Sequence, residues 1–195
     1  MDKIIEILTD AGPAVIIGQT LGIVGMLLAM ISFQYKKNTV YCTFQTFSGL
    51  AFTIHFFILG YTVQGGLNMF NILRGWAFGF APEKSRKFFL VLLFILYSGA
   101  TVVTYTPEEK LWVSLMILCA QLLGTVVMYI HNAKVIRIAQ LAYTSPAWMI
   151  SNVMTKSVGG VLCETFNIIS SIVALIRFRK EWFPKKSNAP VKEEQ

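Results

Sequence analysis

The sequence predicts an all-α, polytopic membrane protein of seven transmembrane helices, built as two triplets about a connector. Three observations predict it. Apolar residues make up 55% of the chain and charged residues 14%, against roughly 25% charged in an ordinary soluble domain. The apolar residues fall into seven blocks, 14–33, 41–60, 62–81, 88–105, 111–130, 135–155 and 157–176. The sequence also resembles itself at an offset of 96 positions.

Block length decides the class. A bilayer core about 30 Å thick takes about 20 helical residues to cross, within a range of about 17 to 25. Soluble helices average about 11 or 12 residues. Barrel strands are shorter and alternate apolar with polar residues. Backbone amides in lipid must be bonded within their own segment, which leaves helices.

Taken in order, residues 1–13 form an outer segment. Asp2, Lys3, Glu6 and Asp10 lack the positive n-region of a cleavable signal peptide; Ile4, Ile5, Ile7 and Leu8 suit a short interfacial turn. Helix 1 sets Gly18, Gly22, Gly25 and Ala29 along one seam, where another backbone can approach closely. Helix 2 carries Gln45, Ser48 and His55 among phenylalanines suited to lipid or packing. Gly60 and Tyr61 make a tight turn into helix 3, whose Gln64, Asn68, Asn71 and Gly75 share a face. Helix 4 is the connector. Thr106-Pro107-Glu108-Glu109 reads as the start of helix 5, with Thr as N-cap, Pro at N1 and Glu at N3. Helix 6 offers Gln140, Thr144, Trp148 and Ser151, and its Pro146 is the one proline deep inside a span, a candidate hinge. Helix 7 aligns Gly160, Glu164, Asn167 and Ser171. The transmembrane domain thus covers 14–178, as triplet 14–81, linker helix 88–105 and triplet 111–176. Residues 179–195, rich in Lys, Glu and Pro, read as a disordered cytoplasmic tail, with Trp182 and Phe183 as an interfacial anchor.

The offset of 96 sets Asn68-Met-Phe-Asn71-Ile72 on Glu164-Thr-Phe-Asn167-Ile168, and His55 on Ser151. Gln19-Thr-Leu-Gly22 matches Gln121-Leu-Leu-Gly124 at 102, which a shorter loop between helices 5 and 6 would explain.

Orientation follows the basic residues, which hold short loops in the cytoplasm. Of 17 Lys and Arg, Lys3, Lys110 and Lys156 lie on one side. The others follow helices 1, 3, 5 and 7: Lys36 and Lys37; Arg74, Lys84, Arg86 and Lys87; Lys134 and Arg137; and Arg177 onward. The N-terminus is expected outside and the C-terminus in the cytoplasm. This bias accounts for the net charge of +7 without a nucleic-acid partner, and favours anionic lipid at the inner leaflet.

Several polar residues sit where polarity is costly. Asn71 lies about 14 Å from the outer start of helix 3, and Asn167 at a matching depth in helix 7. They line a pocket or act as interhelical glue, which is worth about 0.6 kcal/mol per bond. Glu164 is the one acidic residue within a span and should face protein or water. It contacts substrate or a proton, or else forms an ion pair or a vestibule carboxylate. His55 is at a similar depth, as a partner for Glu164 or a hydrogen-bonded packing residue. Arg74 either snorkels to the cytoplasmic headgroups or gates the inner mouth. HExxH, GxSxG and P-loop motifs are absent, and Cys42, Cys119 and Cys163 have neither disulfide nor zinc spacing. No enzymatic activity, cofactor or metal is expected.

Ile54-His-Phe-Phe-Ile-Leu-Gly60, Gly65-Gly66, Asn71-Ile-Leu-Arg74, Ser157-Val-Gly-Gly-Val-Leu-Cys-Glu164 and Arg177-Phe178 resemble the bacterial inner-membrane YgjV-like family. The resemblance spans about Gln19 to Phe178. That family is grouped with the PQ-loop, SWEET-like superfamily, which implies a three-plus-one-plus-three plan and includes sugar transporters. In SWEET-like transporters an asparagine from the third helix of each triplet contacts substrate; Asn71 and Asn167 match those positions. The namesake Pro-Gln pair is missing, because Gly18 precedes Gln19 and Ala120 precedes Gln121. The resemblance therefore supports the fold more than alternating access. Residues and resemblance together lead to an inner-membrane transporter of a small polar solute, its site formed by Asn71, Asn167, Asn68, Trp148, Ser151, His55 and Glu164. The rival is a non-transporting assembly partner or accessory subunit. The lipid bilayer is the expected partner, and a homo-oligomer is left open.

Overall fold

The computed structural model describes residues 12–32, 35, 38–177 and 179. The turn read at Ile4 to Leu8, the anchor at Trp182 and Phe183, and the tail beyond residue 179 lie outside the described residues. Regular structure among the described residues is entirely helical: α1 (Pro13–Ser32), α2 (Asn38–Ile58), α3 (Thr62–Phe80), a 3-10 turn (Glu83–Ser85), α4 (Arg86–Thr104), α5 (Leu111–Ile130), α6 and α7 (Val158–Arg177). Helix α6 comes in three pieces, Ala133–Ala139, a π-helical turn Gln140–Thr144, and Ser145–Met154.

The helices are inside out relative to those of a soluble protein. On α1 the buried face is Gly18, Gly22, Gly25, Ala29 and Ser32, while Ile16, Ile17, Ile23, Val24, Leu27 and Ile31 point outward. Small residues inside let helix backbones approach, and large apolar residues outside suit a hydrocarbon solvent. Exposed apolar surface on this scale marks a membrane-facing protein. Among the described residues, Pro13–Ser32, Glu83–Thr104, Leu111–Ile130 and Val158–Arg177 are long and apolar enough, by length and composition, to cross a membrane. Helices α2, α3 and α6 do not reach that mark. Gln64, Asn68, Asn71 and Arg74 dilute α3, and α6 is broken at its π turn.

Packing order follows the chain with one exception. Helix α2 lies between α1 and α3, α6 lies between α5 and α7, α1 meets α7 and α3 meets α5. Six helices thereby close a ring. Helix α4 packs outside it against α3 and α5, through a single buried stripe, Leu93, Tyr97 and Thr101, spaced four residues apart. Its Val102 and Val103 are 78% and 83% exposed. One apolar cluster, including Leu67, Phe78, Leu93, Tyr97 and Ile117, fills the α3–α4–α5 junction. A second, of Ala29, Phe52, Phe56 and Cys163, joins α1, α2 and α7. Trp148 packs against both.

The α1–α7 seam brings two helix backbones close together. A Cβ built on Gly159 would run into the backbone of Gly22, and one on Gly22 would sit 3.0 Å from the His55 ring. Two local features depart from expectation. Pro146 lies in the first turn of the Ser145–Met154 piece and cannot donate to the carbonyl four residues earlier, so the preceding turn widens to π. Helix α5 begins at Leu111 with Lys110 as N-cap, not at Thr106. Glu109 turns instead toward α3, where its Oε1 accepts from the Thr62 hydroxyl at 3.2 Å and the Val63 amide at 3.3 Å. The carboxylate satisfies one amide and sits at the positive end of α3, a role set by tertiary position and invisible in a local capping pattern.

Candidate functional site

A cavity of about 190 Å³ lies within the ring. All six ring helices line it and α4 contributes no wall residue. Asn68, Asn71, Trp148, Glu164 and Asn167 all reach it. Gln45, Ser48, Gly75, Gln140, Thr144 and Gly160, from the polar stripes of α2, α3, α6 and α7, line it too. Phe52, Phe56 and Trp148 form an aromatic wall, with the Phe56 and Trp148 ring centroids 6.2 Å apart.

On the α3–α5 side the polar groups form one chain. Arg74 Nη1 donates to Gln121 Oε1 at 3.0 Å, and Gln121 Nε2 donates to Asn71 Oδ1 at 3.1 Å. Tyr97, reaching in from α4, donates its hydroxyl to the same Asn71 oxygen at 2.7 Å. Asn71 Nδ2 donates to Asn68 Oδ1 at 3.2 Å, and Asn68 Nδ2 to the Gln64 carbonyl at 3.0 Å. Each amide donates and accepts, so the helical spacing of Asn68, Asn71 and Arg74 becomes a continuous network.

The α6–α7 side is more loosely bonded. Asn167 Nδ2 donates to Glu164 Oε2 at 3.2 Å and lies 3.9 Å from Cys163 Sγ. The Ser145 hydroxyl also faces the Glu164 carboxylate. Gln140 Oε1 accepts from Ser171 and from Arg137 Nη1, each at 3.2 Å. The wall residue Asn152 is 3% exposed, and its Oδ1 finds no hydrogen-bond donor among the described residues.

His55 and Ser151 sit away from the cavity wall. His55 is fully buried; its Nδ1 pairs with the Gly18 carbonyl and its Nε2 with the Ser157 hydroxyl, each at 2.7 Å. Both ring nitrogens are engaged, so His55 ties α1, α2 and the start of α7 together and does not pair with Glu164. Ser151 is buried and accepts from Gln64 Nε2 at 3.3 Å.

Three residues matter more here than their sequence positions suggest. Arg74 turns inward to Gln121 rather than outward to headgroups. Gln121, noticed only as half of a repeat, links Arg74 to Asn71. Tyr97 is the one tyrosine of α4, and that was its signal, because a buried tyrosine hydroxyl seeks a partner.

Neither curated proteins nor solved structures yield a match to this chain. A family of bacterial inner membrane proteins, Imp-YgjV, matches residues 16–182. The matched stretch contains all of the ring but the first three residues of α1, and every residue of the cavity wall. Inward-facing polarity, an apolar exterior and this match lead to one statement of kinship: the chain belongs to the Imp-YgjV family of bacterial inner membrane proteins.

Proposed function

We propose that the chain is a transporter of a small polar solute, built on the SWEET-like plan of the PQ-loop superfamily. In this reading all seven helices cross the inner membrane. Helices α1–α3 and α5–α7 are parallel repeats, α4 joins them, and the two triplets rock about the central site. The observation that carries the proposal is the cavity itself, a space within the ring to which both triplets contribute polar side chains. Polar groups inside a membrane protein face the bundle interior or water and mark solute pathways. The ring order supports the repeat, because a two-fold exchange of the triplets turns the α1–α7 contact into the α5–α3 contact. The π turn before Pro146 offers a hinge in the cavity wall, where the paired prolines of the superfamily are missing. The protein is taken to have no enzymatic activity, cofactor or nucleic-acid partner.

Uptake into proteoliposomes tests the reading. A polar solute should accumulate in vesicles holding the protein and not in empty ones, and Asn167→Ala should cut the rate at least about tenfold. Topology is tested separately. A fluorescent protein fused at Gln195 should light up, and a periplasmic phosphatase fused there should stay inactive; an active phosphatase reverses the map.

One observation favours a non-transporting accessory subunit. Asn71 Oδ1 already accepts two hydrogen bonds, so its carbonyl side is committed to holding α3, α4 and α5 together. Failure of every solute to cross, together with co-purification of a stoichiometric membrane partner, would favour that rival.

A further inference from the structure

The cavity wall carries one basic and one acidic side chain. Among the described residues lining it, Arg74 is the one cation and Glu164 the one carboxylate. They belong to different triplets, Arg74 on α3 and Glu164 on α7. The partners found for them are neutral. Arg74 donates to the amide of Gln121, and Glu164 faces the amide of Asn167 and the hydroxyl of Ser145. Among the described residues, neither forms an ion pair within 4.0 Å.

Two opposite charges in a low-dielectric interior attract strongly, and a chain that needed only to neutralise them would close them on each other. This one holds them apart across a polar space. Neutral amides orient a guanidinium without cancelling its charge. Gly124 helps make room for it, since a Cβ there would stand 3.2 Å from Arg74 Nη1. The repeat loses its symmetry at these two positions. The 96-residue offset sets Glu164 against Asn68 and Arg74 against Ser170. Each charge is present in one half only, which gives the site a positive end and a negative end.

We propose that the solute is a small zwitterion, its carboxylate held by Arg74 and its ammonium by Glu164; this rests on the transport reading above. The planar guanidinium matches a carboxylate with two parallel hydrogen bonds. The carboxylate of Glu164 accepts from an ammonium. Asn152 Oδ1, buried without a donor, offers a further acceptor on the wall. The aromatic wall of Phe52, Phe56 and Trp148 takes the apolar remainder. A cavity of 190 Å³ has room for about six water-sized groups at about 30 Å³ each, which fits an α-amino acid with a short side chain.

The test uses the full chain in proteoliposomes and four probes of nearly one size: alanine (zwitterion), lactate (anion), 2-aminopropanol (cation) and glycerol (neutral). Wild-type protein should take up alanine at least about tenfold faster than the other three, the scale of losing one charge-assisted hydrogen bond. Glu164→Gln should abolish that preference and raise lactate relative to alanine. Arg74→Gln should raise 2-aminopropanol relative to alanine, and Arg74→Lys should keep alanine ahead of it. Size-exclusion profiles report whether each variant folds, and the wild-type panel decides the matter even where a variant does not. Glycerol entering as fast as alanine would overturn the zwitterion and leave transport standing. If none of the four enters, and none raises the melting temperature in detergent, both readings fall.

Discussion

The same four-residue pattern, Gln-x-Leu-Gly, builds two different junctions. In α1, Gln19 donates from Nε2 to the Lys156 carbonyl at 2.8 Å and accepts from the Val158 amide at 3.1 Å, while Gly22 lies against Gly159. The result is a dry seam with a cap on α7. In α5, Gln121 joins Arg74 to Asn71, and Gly124 makes room for the guanidinium. That junction is polar and opens into the cavity. Depth explains the difference. Gln19 is about 9 Å and Gln121 about 15 Å from the N-terminal end of its helix, at 1.5 Å per residue. The shallow copy reaches a loop backbone; the deeper one reaches only side chains. The same short pattern thus serves two different contacts, and register along the helix decides which is structural and which lines the cavity.

The largest effect should come from the glycines of the two junctions. Gly159→Val forces side-chain atoms into the Gly22 backbone, which cannot swing aside as a side chain can. Overpacking a well-packed contact costs roughly 1–3 kcal/mol and more where backbone blocks relief. Little monodisperse protein should survive size-exclusion chromatography. Gly124→Ala meets only the mobile tip of Arg74 at 3.2 Å, so folded yield should hold while uptake falls as the guanidinium is displaced. Equal damage from both would erase the distinction between a dry and a polar junction.

The asparagines sharpen it at an intermediate scale. Asn71→Ala leaves the Tyr97 hydroxyl and Gln121 Nε2 without their acceptor, and each orphaned buried group costs about 1–3 kcal/mol. Folding and uptake should both suffer. Among the described residues, Asn167 bonds only within its own helix, so Asn167→Ala should cost less than about 1 kcal/mol of stability and nearly all of the uptake. Tyr97→Phe removes one of the two bonds to Asn71 and should fall between them in melting temperature. A common loss of stability for both alanine variants, with uptake unchanged per folded molecule, would make the pair packing glue.

Much of this was legible in the sequence, for identifiable reasons. Each apolar block became helical with ends within about three residues of its limits, because an apolar run of this length satisfies its backbone amides best within its own segment. Asparagines at three-residue spacing had to share a face, so Asn68 and Asn71 were certain to look the same way. The direction of Arg74 was not legible. Counting residues sets its depth, yet the choice between headgroup and interior depends on Gln121 from another helix. Tyr97 was hidden similarly, since α4 reads as a plain connector until α3 is laid beside it. Glu109 misled because its capping pattern is local while its actual partners, Thr62 and Val63, lie 47 and 46 positions away.

The smallest effect should belong to Gln19. Its side chain bonds two backbone groups where α6 turns into α7, one of them the amide of the first α7 residue. Helix N-termini leave four amides without internal partners, and a side-chain acceptor there is worth about 0.5–2 kcal/mol. Gln19 is only half-buried, so water can replace part of what Gln19→Ala removes, which puts the loss near about 1 kcal/mol. For a chain of this size that lowers the melting temperature by about 2–4 °C. Uptake per folded molecule should stay at the wild-type rate, because Gln19 is not part of the cavity wall. Gln121→Ala should do the reverse: it leaves the Arg74 guanidinium without the acceptor that orients it, so uptake should fall by more than the loss of folded protein accounts for. If Gln19→Ala instead lowered uptake with no thermal change, the two glutamines would be functional equivalents, and the division into a structural junction and a solute-facing one would be lost.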